Sequence, residues 1–222
     1  MTETTVIVAD DHPLFRAAMI QAVAEKLPEA RVAEADSLPA LQEALTAADD
    51  VDLLLMDLHM PGANGFSGLA FINQRYPDVP VLMISADEDR NIISKAVEMG
   101  ASGFIPKSAS IEQIGEAIER VLEGETWLPE DLATRDGTAD TDSQDMAARV
   151  AELTPQQYRV LHMIADGMLN KQIAYDLEVS EATVKAHMTA IMRKLGVRTR
   201  TQAVLALSKL DLPPPHERER RA

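Results

Sequence analysis

The chain has 222 residues, 46% of them hydrophobic and only 4% aromatic, and a formal net charge of −15. That length holds one or two domains. The absence of cysteine excludes a disulfide framework and a thiolate metal site, and no apolar run reaches the roughly eighteen residues of a membrane span. The opening MTETTVIVADD lacks the basic region and long apolar segment of a signal peptide, so the expected location is cytoplasmic, away from a membrane.

Taken in chain order, residues 1–125 alternate between two periods. Short runs rich in branched residues fall at 5–9, 31–35, 51–56, 79–85 and 102–105. Helix-like stretches fall between and after them at 13–27, 38–48, 66–76, 88–99 and 110–124. Strands alternating with helices of this length predict βαβ units and a doubly wound, five-stranded parallel sheet. Ser110 with Gln113 is a capping-box signal for the last of these helices. Residues 129–150 are polar, acidic and aperiodic, which predicts a flexible linker. Thr154-Pro155-Gln156-Gln157 then starts a helix that ends near Gly167. Further helices are expected at 170–177, 181–195 (capped by Ser180, ended by Gly196) and 199–210, and 213–222 reads as a disordered tail. The expected domains are therefore 1–128, a linker at 129–150, and a small all-α domain at 151–212.

Charge separates the two ends. Residues 1–128 carry 22 acids and 8 bases (net −14), while residues 151–222 carry 8 acids and 11 bases (net +3). No acid stands between Ala182 and Leu210, where Lys185, Arg193, Lys194, Arg198, Arg200 and Lys209 do. A cationic segment on an acidic chain points to a polyanionic partner for that end alone.

In an open parallel sheet the functional crevice lies outside the carboxyl ends of the strands, where strand order reverses. Asp10 and Asp11 end the first run, Asp57 the third, Ser85 the fourth, and Lys107 follows the fifth. Each has a plainer use alone: Asp11 as a helix cap, Asp57 as a turn residue before Pro61-Gly62, Ser85 as a strand-end cap, Lys107 as a surface lysine. Together they surround one crevice with three carboxylates, a hydroxyl and an ammonium. Carboxylates so grouped repel, and a hard cation with oxygen ligands, Mg2+, relieves this. Asp57 could then attack a phosphoryl group, with Lys107 neutralising its oxygens and Ser85 hydrogen-bonding one of them.

The stretches VIVADDHPLFR, LLMDLHMPGANG, VLMISA and GASGFIPKS resemble the receiver domain of two-component response regulators, over roughly residues 5–125. The resemblance implies a flavodoxin-like fold. Asp57 would accept phosphoryl from a sensor histidine kinase, and Asp10, Asp11, Asp57 and the backbone carbonyl of His59 would hold Mg2+. Ser85 and Lys107 would sense the phosphoryl group, with Phe104 as the aromatic switch. Ser85 stands where Thr is common and Phe104 where Tyr is common; no required group is missing.

Residues 155–195 read as helix, helix, short turn and helix, the turn being Leu177-Glu178-Val179-Ser180, the length a helix-turn-helix needs. At about 100° per residue, Val184, Met188, Ile191 and Leu195 share an apolar arc, opposite Ala182, Lys185, Ala186, Thr189 and Arg193. The latter face suits a major groove. Residues 153–204 resemble the LuxR-type helix-turn-helix, and the whole chain resembles response regulators of the NarL/FixJ class. Lys185, Ala186 and Thr189 would by that resemblance face bases. Thr183, Arg193, Lys194, Asn170 and Lys171 would lie near phosphates or position the recognition helix, and the last helix would supply a dimer contact. The expected function is a transcription factor, not an enzyme, that binds double-stranded DNA as a homodimer when phosphorylated. A haloacid-dehalogenase-type phosphohydrolase would need a second Asp two residues beyond Asp57, where His59 stands. The intact acidic pocket weighs against a constitutive DNA binder and against a ligand-sensing regulator.

Overall fold

The computed structural model describes residues 4–48, 50–63, 65–129 and 142–208. The chain divides into two compact units, Met1–Thr134 and Arg135–Ala222.

The first unit is the expected doubly wound sheet. Strands β1 (Thr5–Ala9), β2 (Arg31–Ala35), β3 (Leu53–Asp57), β4 (Val81–Ser85) and β5 (Gly103–Pro106) pair in the order β2-β1-β3-β4-β5, all parallel. Helices α1 (Pro13–Lys26), α2 (Leu38–Ala47), α3 (Ser67–Arg75), α4 (Arg90–Glu98) and α5 (Ile111–Leu122) connect and cover them. Successive strand residues point to opposite faces. Ile7, Leu54, Met56, Met83 and Phe104 therefore pack with Leu41, Leu69, Ile72 and Ile93 of α2, α3 and α4. Val6, Val8, Leu53, Leu55, Leu82 and Ile84 pack with Met19, Val23, Ala117 and Ile118 of α1 and α5 on the other face. Each large aliphatic side chain so removed from water contributes roughly 1.5–3 kcal/mol. That explains near-continuous apolar strands with no alternation: both faces are covered.

Several strand boundaries shift by a residue or two. The third run, expected at 51–56, is a strand from Leu53; Asp52 just before it ties to β1, its amide donating to Thr5 O at 2.9 Å and its carboxylate accepting the Thr5 amide at 2.8 Å. The sheet also extends beyond the last strand. Gly103 forms a parallel bridge with Trp127, Phe104 N donates to Trp127 O at 3.0 Å, and Trp127 N donates to Ser102 O at 3.2 Å. A Cβ on Gly103 would lie 2.6 Å from Trp127 O and 2.7 Å from Leu82 Cδ2, so only glycine permits this approach.

The second unit contains helices α6 (Asp142–Ala151), α7 (Pro155–Ala165), α8 (Asn170–Asp176), α9 (Glu181–Leu195) and α10 (Arg200–Ser208). Helix α6 corrects the linker expected over 129–150. Its Met146 and Val150, four residues apart, pack on the helical core with Val184, Met188 and Leu195. A stripe that narrow is hard to see in an Asp- and Ala-rich segment. Residues 130–141, the tail at 213–222 and the last two positions of the expected fourth helix lie outside the described residues. The capping box of Thr154 and Gln157 opens α7, and Ser180 Oγ accepts the Thr183 amide at the start of α9. The turn between α8 and α9 passes through Glu178 at φ 54, at a cost of about 1–2 kcal/mol for a side-chain-bearing residue. No helix among the described residues is long and apolar enough to cross a membrane.

Candidate functional site

Strand order reverses between β1 and β3, with β2 on one side of β1 and β3 on the other. The register there pairs Ala9 with Met56, so the next residues, Asp10 and Asp57, emerge side by side. Both are buried, at 0% and 2% exposure, while Asp11 is partly exposed. Asp57 is the last residue of a strand rather than part of the turn after it. Asp11 does not cap α1: the cap is His12, whose side chain makes no capping bond.

Lys107 is no surface lysine. Its amide donates to Ser85 O at 2.8 Å, prolonging the β4–β5 ladder and fixing its position. Its Nζ lies 2.8 Å from Asp10 Oδ2 and 3.0 Å from Asp57 Oδ2, and 4.9 Å from the centre of the Phe15 ring. Ser85 is fully buried, and its Oγ accepts the Asp87 amide at 3.0 Å. Hence the strand-end cap is a real use of this residue, but one that takes a lone pair and leaves the hydroxyl proton able to donate. Phe104 is fully buried in the core under α4. His59 presents an exposed ring, and its amide hydrogen-bonds the Asp57 carboxylate.

Burial pushes the Asp57 carboxyl above its ordinary 3.8, and the Asp10 charge adds to this; Lys107 and the His59 amide offset it only in part. Lys107 is raised too. Burial pulls it down, but hydrogen bonds and charge from Asp10 and Asp57 outweigh that. The asymmetry has a simple source: the ammonium meets two carboxylates, whereas Asp57 meets one cation and one like charge. A group more readily protonated in the fold than in the unfolded chain adds stability as pH falls from above its folded value toward its unfolded one. Metal-free Asp57→Asn should therefore melt at or above the wild-type temperature at neutral pH. The gap should narrow on acidification toward 3.8, as Asp57 itself becomes neutral. Melting curves of both proteins across pH check this, and a widening gap contradicts it.

Donor atoms of Asp10, Asp11, His12 and Asp57 all lie within 4.8 Å of one another. Asp11 Oδ1 and Asp10 Oδ2 are both buried; Lys107 Nζ lies 2.8 Å from the latter and His12 Nδ1 2.8 Å from the former. Three carboxylates gathered so closely fit a hard, oxygen-seeking cation such as Mg2+. Three residues of this site carried no assigned role in the sequence. His12 donates its amide to Asp10 Oδ1, Arg16 donates from Nη1 to Asp10 O, and Phe15 lies under the lysine. All lie at or just before the first turn of α1, and a helix starting at Pro13 was the signal that could have brought them to the strand ends.

Helix α9 buries Val184, Met188, Ile191 and Leu195 completely, as its period predicts. Ala182, Ala186, Thr189 and Arg193 are exposed, and Thr183 and Lys185 are half-buried. The Thr183 hydroxyl lies 2.9 Å from Ser180 Oγ, and Thr189 Oγ1 donates to Lys185 O at 3.0 Å. Lys194, Asn170 and Lys171 do not offer themselves outward. Lys194 Nζ donates to Glu152 O at 2.9 Å and Gln157 Oε1 at 2.8 Å. Asn170 and Lys171 are buried at 7% and 8% exposure, and Asn170 Oδ1 accepts a long 3.5 Å bond from Arg200. Of the two roles expected for these three, the placement suits support of the helix rather than phosphate contact.

A carboxylate pocket at the switch point of a parallel sheet, in one chain with a basic helix-turn-helix, defines a receiver coupled to a DNA-binding output. Residues 6–119 match the model of the response regulator receiver domain, and residues 151–207 that of bacterial regulatory proteins of the luxR family. The chain is 39% identical over 211 residues to a glycerol metabolism activator of Pseudomonas putida, spanning 93% of this chain and 96% of that one. It is 29% identical over 206 residues to the nitrate/nitrite response regulator protein NarL of Escherichia coli K12, spanning 90% and 93%. Its fold is similar to that of RcsB from Salmonella enterica serovar Typhimurium bound to promoter P1flhDC in the presence of the phosphomimetic BeF3−. That likeness has a TM-score of 0.54 at 25% identity, over 93% of this chain and 98% of that one. The chain belongs to the two-component response regulators of the NarL/FixJ class, which are phosphorylation-controlled, DNA-binding transcriptional regulators.

Proposed function

We propose that Asp57 is the phosphoacceptor and that a sensor histidine kinase is the donor. The observation that carries this reading is the Asp57 carboxylate, held at a strand end 3.0 Å from the Lys107 ammonium and beside two further carboxylates. A carboxylate oxygen of Asp57 attacks phosphorus; the new O–P bond forms as the P–N bond to the donor imidazole breaks, and the imidazole leaves with the electron pair. Asp10, Asp11 and Asp57, with the carbonyl of His59, would hold Mg2+, which when bound offsets the charge of the carboxylates and phosphoryl oxygens. Lys107 exchanges its bond to Asp57 for one to a phosphoryl oxygen. The Ser85 hydroxyl donates to another, and Phe104 fills the space beneath α4 in the state so stabilised.

The output is double-stranded DNA, bound through α9 as a homodimer when Asp57 is phosphorylated, with α10 contributing to the dimer contact. Lys185, Ala186 and Thr189 face the bases, and Thr183 and Arg193 lie near phosphates. With Ala186 and Thr189 so short, base reading rests on Lys185, thymine methyl contacts and DNA shape. The protein turns over no substrate and works in the cytoplasm. DNA binding measured with and without beryllofluoride and Mg2+ tests the coupling. Tighter binding with beryllofluoride supports it; equal binding, with the mimic demonstrably bound, refutes phosphorylation control.

A further inference from the structure

Two basic side chains cross between α6 and the recognition helix in opposite directions. From α6, Arg149 Nη1 donates to Leu195 O, the last carbonyl of α9, at 3.0 Å. From α9, Lys194 Nζ donates to Glu152 O, just past the end of α6, at 2.9 Å, and to Gln157 Oε1. Between them Val150 is 5% exposed and packed on the core that includes Leu195. The last carbonyls of a helix lack partners within it, and its C-terminus carries partial negative charge. A guanidinium there answers both. Gly196 ends α9 at φ 72, and a Cβ on it would collide with Arg149 Nη1. Glycine is thus favoured for the left-handed backbone, and any larger residue would also push the arginine tip off the Leu195 carbonyl. Arg193, the exposed cation of this last turn, sits directly before Lys194 and three residues before Gly196.

We propose that Arg149 is a positioning residue for DNA binding: by capping the end of α9 from α6 it fixes where Arg193 meets the phosphate backbone. The inference rests on α9 being the helix that reads DNA. Helix α6, the element of this unit first reached from the receiver along the chain, then becomes part of the DNA-reading apparatus rather than a spacer.

The test compares full-length wild type, Arg149→Ala and Arg149→Lys, all with beryllofluoride and Mg2+, on a duplex enriched by the wild type from a randomised pool, and on a scrambled duplex, across salt. Arg149→Ala should bind the enriched and the scrambled duplex alike, about ten-fold more weakly. Its salt slope should be shallower by roughly one phosphate contact. Arg149→Lys, which keeps a charged donor, should recover most of this. Wild-type affinity in Arg149→Ala, or a loss that leaves the salt slope unchanged, overturns the proposal. Should Arg149→Ala lose helical signal, Arg149→Gln carries the same comparison with the same outcomes. A wild type that enriches no duplex refutes the DNA reading instead. Amide exchange at Gly196 and Val197, expected to quicken ten-fold or more in Arg149→Ala, then still reports on the cap itself, and unchanged exchange removes it.

Discussion

Asp57→Asn protein incubated with acetyl phosphate and Mg2+ gains no phosphoryl group, where the native chain gains a single one. The substitution keeps the shape and a hydrogen-bonding oxygen, so Lys107 and the His59 amide retain a partner. What it removes is the nucleophile, since the amide lone pair is delocalised into the carbonyl and leaves no anionic oxygen to attack phosphorus. Because burial disfavours the charge on Asp57, the fold should not suffer, and loss of uptake with an unchanged or higher melting temperature separates chemistry from unfolding. Intact mass before and after incubation reads the result. A phosphoryl group still added to Asp57→Asn would place the acceptor elsewhere.

The second large effect is expected at the DNA. Lys185→Ala should cost roughly 1–3 kcal/mol on a specific site if the lysine reads a base. It stands on the face formed with Ala186 and Thr189, neither of which reaches far into a groove. Lys185 is half-buried, and no acid lies between residues 182 and 210 to oppose a polyanion. Titration of a specific and a scrambled duplex distinguishes two roles. A loss confined to the specific site marks base reading, whereas an equal loss on both demotes Lys185 to a phosphate contact.

How much of this was legible before the structure depends on the range over which each signal acts. The central strands were visible because a sheet covered on both faces needs unbroken apolar runs, as in Leu53 to Met56. The pocket was visible because Asp10, Asp11, Asp57, Ser85 and Lys107 each follow such a run, and parallel strands bring like ends together. Val184, Met188, Ile191 and Leu195 announced their helix by spacing alone. Features made by single long-range contacts were not legible. Helix α6 rests on Met146 and Val150 meeting a core assembled from later helices. Lys194 looks from its neighbours like one more cation for DNA, and the Glu152 carbonyl and Gln157 Oε1, 42 and 37 positions away, turn it inward. Trp127 carries no hint that its carbonyl meets the Phe104 amide. His12, Phe15 and Arg16 were in view but lacked a role until α1 aimed them at the strand ends.

The bridge between Gly103 and Trp127 bears on anyone who would recombine this regulator. Severing the chain where α5 stops strips a backbone partner from the strand that carries Phe104 and precedes Lys107, and exposes the flank of an edge that was covered. A hybrid joining this input to a foreign output should keep native residues through Leu128. One borrowing its output should begin no later than Asp142. Shorter grafts forfeit parts of both working halves while appearing, from the strand-and-helix pattern alone, to contain them whole.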